Sequence, residues 1–132
     1  MTTASSSPSV TPAGKPHREF FAIDLDGDWT PVPGYPDGIA YKTLADNLDP
    51  VARTGTRSRL VRFAPGVLLD RRVRHDHWEE VYVIDGDLVV IDPDTRTQTA
   101  FPKHAYACRP ADVPHGPFTS HTGCLLFELH YY

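Results

Sequence analysis

Two histidines stand one residue apart in the segment Arg74-His75-Asp76-His77-Trp78-Glu79-Glu80. On a strand, side chains two apart share a face, so His75 and His77 form a chelating pair. A third histidine, His115, ends the segment Arg109-Pro110-Ala111-Asp112-Val113-Pro114-His115, a proline-bracketed turn leading into a new strand. Three neutral imidazoles at one point suit iron(II), zinc, nickel or copper(II) and leave coordination positions open for water or substrate. A lone pair of this kind is more often a solvated strand face. The reading therefore depends on elements that bring His115 to the pair.

Those elements read as strands. Thirteen prolines and nine glycines punctuate the chain, and no stretch keeps apolar residues at helical spacing over three turns. Short runs rich in β-branched and aromatic residues predict strands at Phe20–Ile23, Ile39–Leu44, Arg59–Phe63, Glu79–Ile84, Asp87–Ile91, Ala105–Cys108 and Cys124–Tyr131. Turn signals separate them, among them Ala64-Pro65-Gly66, Asp85-Gly86-Asp87 and Asp92-Pro93-Asp94. Many short strands at regular spacing predict an all-β antiparallel jelly-roll barrel, whose closure removes exposed sheet edges. No internal repeat is visible.

A length of 132 residues, with 40% hydrophobic and 23% charged residues, fits one compact domain. The Ser-, Thr- and Pro-rich opening predicts a disordered tail over residues 1–17, followed by a single barrel domain over 18–132. That opening has neither a basic start nor an apolar centre, and no apolar run approaches a membrane span. A net charge of -4 with scattered basic residues argues against nucleic acid as a partner. Cys108 and Cys124 fall in predicted strands as small apolar residues, which points to a reduced, cytoplasmic protein.

Gly66, His75, His77, Glu79 and Gly86 together resemble the first signature motif of the cupin superfamily. The second motif, a small residue and five others followed by Pro-x-Gly-x-x-His, is matched by His104, Pro110, Asp112 and His115, with His and Asp standing where the pattern has glycine. The resemblance covers roughly Arg59 to Tyr131. It implies a cupin double-stranded β-helix with one divalent metal inside, held by the two histidines and glutamate of the first motif and the histidine of the second. Only Trp78 separates His77 from Glu79, where the family has three or four residues. On one straight strand, the Cα atoms of His75 and Glu79 would lie about 13 Å apart. The main expectation is therefore a three-histidine site, with Glu79 either a further ligand or a partner accepting an N–H from a ligating imidazole.

The resemblance also frames the chemistry. Short three-histidine cupins cleave diketones or hydroxyacetophenones with iron(II), so a non-haem iron(II) dioxygenase acting on an enolisable or phenolic ketone is the first expectation. Zinc would instead support a polyketide cyclase or isomerase, and nickel is a further alternative. A third class is a non-catalytic metal or ligand sensor, similar to the cupin half of certain anti-sigma factors. No catalytic residue is assigned. Tyr82 and Tyr106 are substrate-pocket candidates, while His104 and His121 fit surface strand ends, and His17 and His130 read as solvated chain ends. Arg62 and Arg109 could bind an anionic oxygen, but a surface place is the commoner one for such residues. Cupin relatives commonly pair through sheet edges, so a homodimer is expected, with Phe20–Ile23 and the Tyr131-Tyr132 end as parts of its interface. The partner would be a small molecule.

Overall fold

A computed structural model describes residues 14–132; residues 1–13, most of the expected tail, lie outside the described residues. Lys15 donates a hydrogen bond to the Thr56 hydroxyl. The chain forms nine strands: β1 (Thr30–Pro31), β2 (Ile39–Asp46), β3 (Thr56–Phe63), β4 (Leu68–Leu69), β5 (Trp78–Ile91), β6 (Gln98–Pro102), β7 (Tyr106–Arg109), β8 (Phe118–Thr119) and β9 (Cys124–Tyr131). No helix occurs among the described residues, and none is long and apolar enough to cross a membrane.

All pairings are antiparallel, and two sheets share β5. Its first half lies between β7 and β9, with β3, β2 and β1 beyond. Its second half pairs with β6 and β8, and β8 pairs with β4. The handover comes at a register shift between Val83 and Asp85, where an inserted residue bends the strand and increases its twist. Gly86 follows at φ 78°, and a Cβ there would lie 1.9 Å from the Gly123 carbonyl oxygen. Only glycine fits so close a crossing. The two runs read separately as Glu79–Ile84 and Asp87–Ile91 are thus one strand: Ile84 is the bulged residue, and Asp85 and Gly86 stay paired with Leu125 and Cys124 and make no turn.

The fold is the expected cupin jelly roll. Alternation along β5 and β9 sends Val81, Val83, Cys124 and Leu126 inward, where they pack with Val61, Phe63, Leu69, Val73, Leu88 and Phe118. Other sequence expectations need correction. Phe20–Ile23 forms no strand, and Phe20, Phe21 and Ile23 are exposed; it had the composition of a strand but found no partner. The run Gln98–Pro102 pairs with β5 although it is exposed throughout, so it carries no inward apolar pattern to read. Cys108 is exposed and Cys124 buried, both as free thiols.

Candidate metal centre

His75 and His77 lie between β4 and β5, Glu79 is in β5, and His115 lies between β7 and β8. Backbone bonds join these segments. The Val73 N–H donates to the His115 carbonyl at 2.7 Å, and the His115 N–H returns to the Val73 carbonyl at 2.9 Å. The Asp112 N–H donates to the His75 carbonyl at 2.7 Å. Asp112 and His104, which occupy the two motif positions of glycine, adopt φ of 66° and 75°. The left-handed turns survive without glycine, since Asp and His visit that region more readily than most residues.

His75 to Glu79 is not a straight strand. The chain bends at Asp76 and His77 before β5 begins, and the Arg53 guanidinium holds that bend by donating to the Asp76 carboxylate at 3.0 Å. The bend brings Glu79 back to the histidines: its Oε2 lies 3.9 Å from His75 Nε2, and its Oε1 lies 3.5 Å from His115 Nε2. Ligand atoms of His75, Glu79 and His115 all lie within 4.8 Å of one another. His77 stands beside this set and outside it, its ring stacked on His75 at 4.8 Å between centroids. The straight-strand premise that set Glu79 aside is thus corrected, and Glu79 joins the cluster more closely than His77 does.

The donor chemistry fits a divalent ion. Two ligands at about 2.1 Å from one ion lie at most about 4.2 Å apart, so 3.5 and 3.9 Å need little adjustment. The Nδ1 of His115 lies 3.3 Å from the Val113 carbonyl, and that of His77 lies 3.0 Å from the Trp78 carbonyl. An Nδ1–H donated to each carbonyl leaves Nε2 as the free lone pair. Burial pushes the pKa of His75, His77 and His115 down, that of His77 to about 4. The imidazoles are therefore neutral ligands at neutral pH. Burial works to raise the Glu79 pKa, but the His130 hydrogen bond and the charge of Arg109 overcome it and hold the carboxyl well below its ordinary range.

Sequence reasoning missed the support around this cluster. His130, read as a solvated chain end, is 1% exposed, with its Nε2 3.1 Å from Glu79 Oε2. Arg109, read as a surface residue, donates to Glu79 Oε1 at 3.0 Å. Arg59 donates to Glu128 at 3.0 Å, and both are largely buried. The period-two phase of β9 was the available signal, since Glu128 and His130 continue the inward series Cys124, Leu126.

A cavity of about 40 Å³ adjoins the cluster, lined by Glu79, His115, Arg109, Arg59, Glu128 and Tyr35 together with core side chains such as Val61 and Phe118. Burial and the nearby Glu128 and Glu79 charges push the Tyr35 phenol up to about 12, so it remains a proton donor. Tyr82 and Tyr106 do not line this cavity. They pair across β5 and β7 on the exposed face, where Tyr82 bonds His104 and Tyr106 donates to Glu80. Arg62 is exposed, its guanidinium over the Trp29 ring, and His17 and His121 are exposed as well.

A double-stranded β-helix with histidines and a glutamate gathered at one end of its core defines a cupin. The chain belongs to the ChrR cupin-like domain family, whose model matches residues 17–131. Comparison with curated proteins returns no match. Among solved structures, KdgF from Halomonas sp. is 21% identical with a TM-score of 0.62, over 86% of this chain and 93% of that one. The polyketide cyclase RemF from Streptomyces resistomycificus is 18% identical with a TM-score of 0.66, over 86% and 79%. An acetylacetone dioxygenase from Acinetobacter johnsonii is 14% identical with a TM-score of 0.63, over 99% and 80%. At these identities the likeness is one of fold.

Proposed function

We propose that the protein is a metal-dependent cupin that holds one divalent ion, iron(II), at His75, Glu79 and His115, with His77 at its edge, and oxidatively cleaves a small enolisable ketone. The observation that carries this reading is the convergence of two imidazoles and one carboxylate within 4.8 Å. Two histidines and one carboxylate on one face of an ion, with other positions free, is the ligand set of non-haem iron(II) oxygenases. Iron(II) would supply Lewis acidity and a place for dioxygen beside the substrate.

The chain's own residues account for the rest. Arg59 and Arg109 balance Glu128 and Glu79 in the cavity wall, so a divalent ion adds positive charge that favours an enolate oxygen over its neutral form. Tyr35 stays protonated and can donate to a second substrate oxygen. Core side chains such as Val61, Leu126 and Phe118 form the apolar part of the cavity wall and limit water beside the reacting atoms. The cavity is small, about 40 Å³, which favours a small substrate entering from its mouth over the long chain a polyketide cyclase folds.

The same small cavity favours one alternative, a sensor that binds metal and turns nothing over, in keeping with the ChrR-like family. The test is to load apoprotein with iron(II) or zinc and follow oxygen uptake and product mass with β-diketones and hydroxylated aromatic ketones. Oxygen uptake with iron alone, and one O₂ gained across the two products, is the expected result. Turnover with zinc without oxygen uptake overturns the oxygenase, and metal binding with no turnover across the panel favours the sensor.

A further inference from the structure

Glu79 belongs to two groups of ligating side chains. Besides the set with His75 and His115, the ligand atoms of Glu79, Glu128 and His130 lie within 4.8 Å of one another, and all three residues are buried. A shared carboxylate suits two arrangements. It can bridge a pair of ions, or one group can hold it in place for the other.

The hydrogen bonds separate these arrangements. Arg57 Nε and Nη2 lie 3.0 and 2.8 Å from His130 Nδ1. A guanidinium only donates, so Nδ1 is the lone-pair nitrogen and the ring proton sits on Nε2. That Nε2 lies 3.1 Å from Glu79 Oε2 and 3.4 Å from Glu128 Oε1, both acceptors. Nε2 carries the proton and the Nδ1 lone pair is taken by Arg57, so neither ring nitrogen of His130 is free for a metal. Glu128 Oε1 already accepts from Arg59 Nε at 3.0 Å, and two guanidiniums oppose a second cation.

The strand register shows the same order. Arg109, Glu79, His130 and Arg57 are direct cross-strand neighbours on β7, β5, β9 and β3. Glu79 thus sits between two donors, Arg109 on Oε1 and His130 on Oε2.

We propose that His130 is a positioning residue that aims the Glu79 carboxylate at the metal through its Nε2–H, with Arg57 setting the tautomer, and that the Glu79, Glu128, His130 group holds no ion of its own. The proposal rests on the reading of His75, Glu79 and His115 as the metal centre. Protein donors that fix a ligand's orientation typically change metal affinity by about 10–100-fold when removed.

Two measurements test it. In the wild-type protein, long-range ¹H–¹⁵N correlation of the histidine rings should show His130 with a protonated Nε2 and a bare Nδ1, and Arg57→Leu should release that preference. A protonated Nδ1 in the wild type overturns the proposal, whatever the variants do. In cobalt(II) titrations, the wild type should bind one ion per chain. His130→Phe should weaken binding about 10–100-fold and alter the visible ligand-field spectrum, and His130→Gln, which keeps an N–H donor, should restore most of both. Two ions per chain with one lost in His130→Phe overturns it. If His75→Ala and His115→Ala lose cobalt while His130→Phe matches the wild type in affinity and spectrum, the metal centre stands and the positioning role falls. If none of these variants changes cobalt binding, the metal-centre reading falls and takes this one with it.

Discussion

Val73 and His115 exchange both of their backbone hydrogen bonds, at 2.7 and 2.9 Å, as an isolated bridge outside the named strands. This bridge carries the third histidine across the barrel, from the turn after β7 to the segment that bears His75. The His115 ring is thereby placed by backbone as well as by packing, with its Nε2 toward Glu79. His77 is packed among the His75, His130 and Tyr132 rings, but it lies outside the set of ligand atoms that converge with Glu79. His115→Ala should therefore abolish most metal affinity, and His77→Ala should cost less. Isothermal titration with cobalt(II) or zinc checks the order, and equal losses would place His77 as a full ligand.

Glu79 accepts from Arg109 and His130 while buried. Removing it takes the carboxylate from the largely buried Arg109 guanidinium and leaves the buried His130 N–H only Glu128, at 3.4 Å, and breaking a buried ionic group by removing one member typically costs about 3–5 kcal/mol. Glu79→Ala should lower the stability of the metal-free protein by about that amount, and Glu79→Gln, which keeps an acceptor, by less. Both should weaken metal binding. Urea unfolding of apoprotein separates the two effects, and an apoprotein of unchanged stability would show that the ion pair contributes nothing.

Metal affinity should resist mild acid. Protons compete with the metal for the Nε2 lone pairs, and competition begins only as pH falls toward each folded pKa. Burial lowers all three, His77 to about 4, against about 6.5 for a free imidazole. Affinity should thus hold nearly flat from pH 7.5 down to about 6.5, the free-imidazole value, and fall only below it, as more than one ligand protonates. A titration series across that range, in a buffer that does not bind metal, gives the profile. A midpoint near 6.5 would mean that the histidines are solvated.

The sequence made the barrel legible because period-two patterning and turn residues repeat along it; the run from Cys124 to Tyr131 matches β9 at both ends. What it hid has physical causes. Asp85-Gly86 has the composition of a turn, yet in the structure both residues stay paired with β9 just past the bulge at Ile84, and the strand continues into the next sheet. The bend at Asp76 is tied to Arg53 and, through the His75 carbonyl, to Asp112, both distant in sequence, and spacing alone therefore kept Glu79 too far from His75. His130 was hidden by its place near the chain end, although its phase with Leu126 pointed inward. Tyr82 and Tyr106 illustrate the converse: they are aromatic residues on strands beside the motif, but their phase sets them outside.

Asp87 provides the acid-stability prediction. It sits just past the bulge of β5, and its carboxylate accepts from the Ser120 hydroxyl, the His121 and Thr122 backbone N–H groups and the Thr122 hydroxyl, at 2.7–3.2 Å. These bonds fasten the segment after β8 to the place where β5 passes between sheets. Partial burial acts to raise its pKa, but the Thr122 and other donors prevail and hold it at about 2. A carboxyl whose folded pKa lies below its unfolded value, about 3.9, contributes stability that is complete above that value. The contribution is lost as pH falls toward the folded pKa, because the unfolded chain binds its proton first. Asp87→Asn should therefore be less stable than wild type at pH 7, by an amount on the order of 1–2 kcal/mol given solvent screening. The gap should narrow between about pH 4 and pH 2. Denaturant melts of both proteins at several pH values give the difference directly, and a gap that is the same at pH 2.5 and pH 7 would show that the charge on Asp87 does not strengthen these bonds.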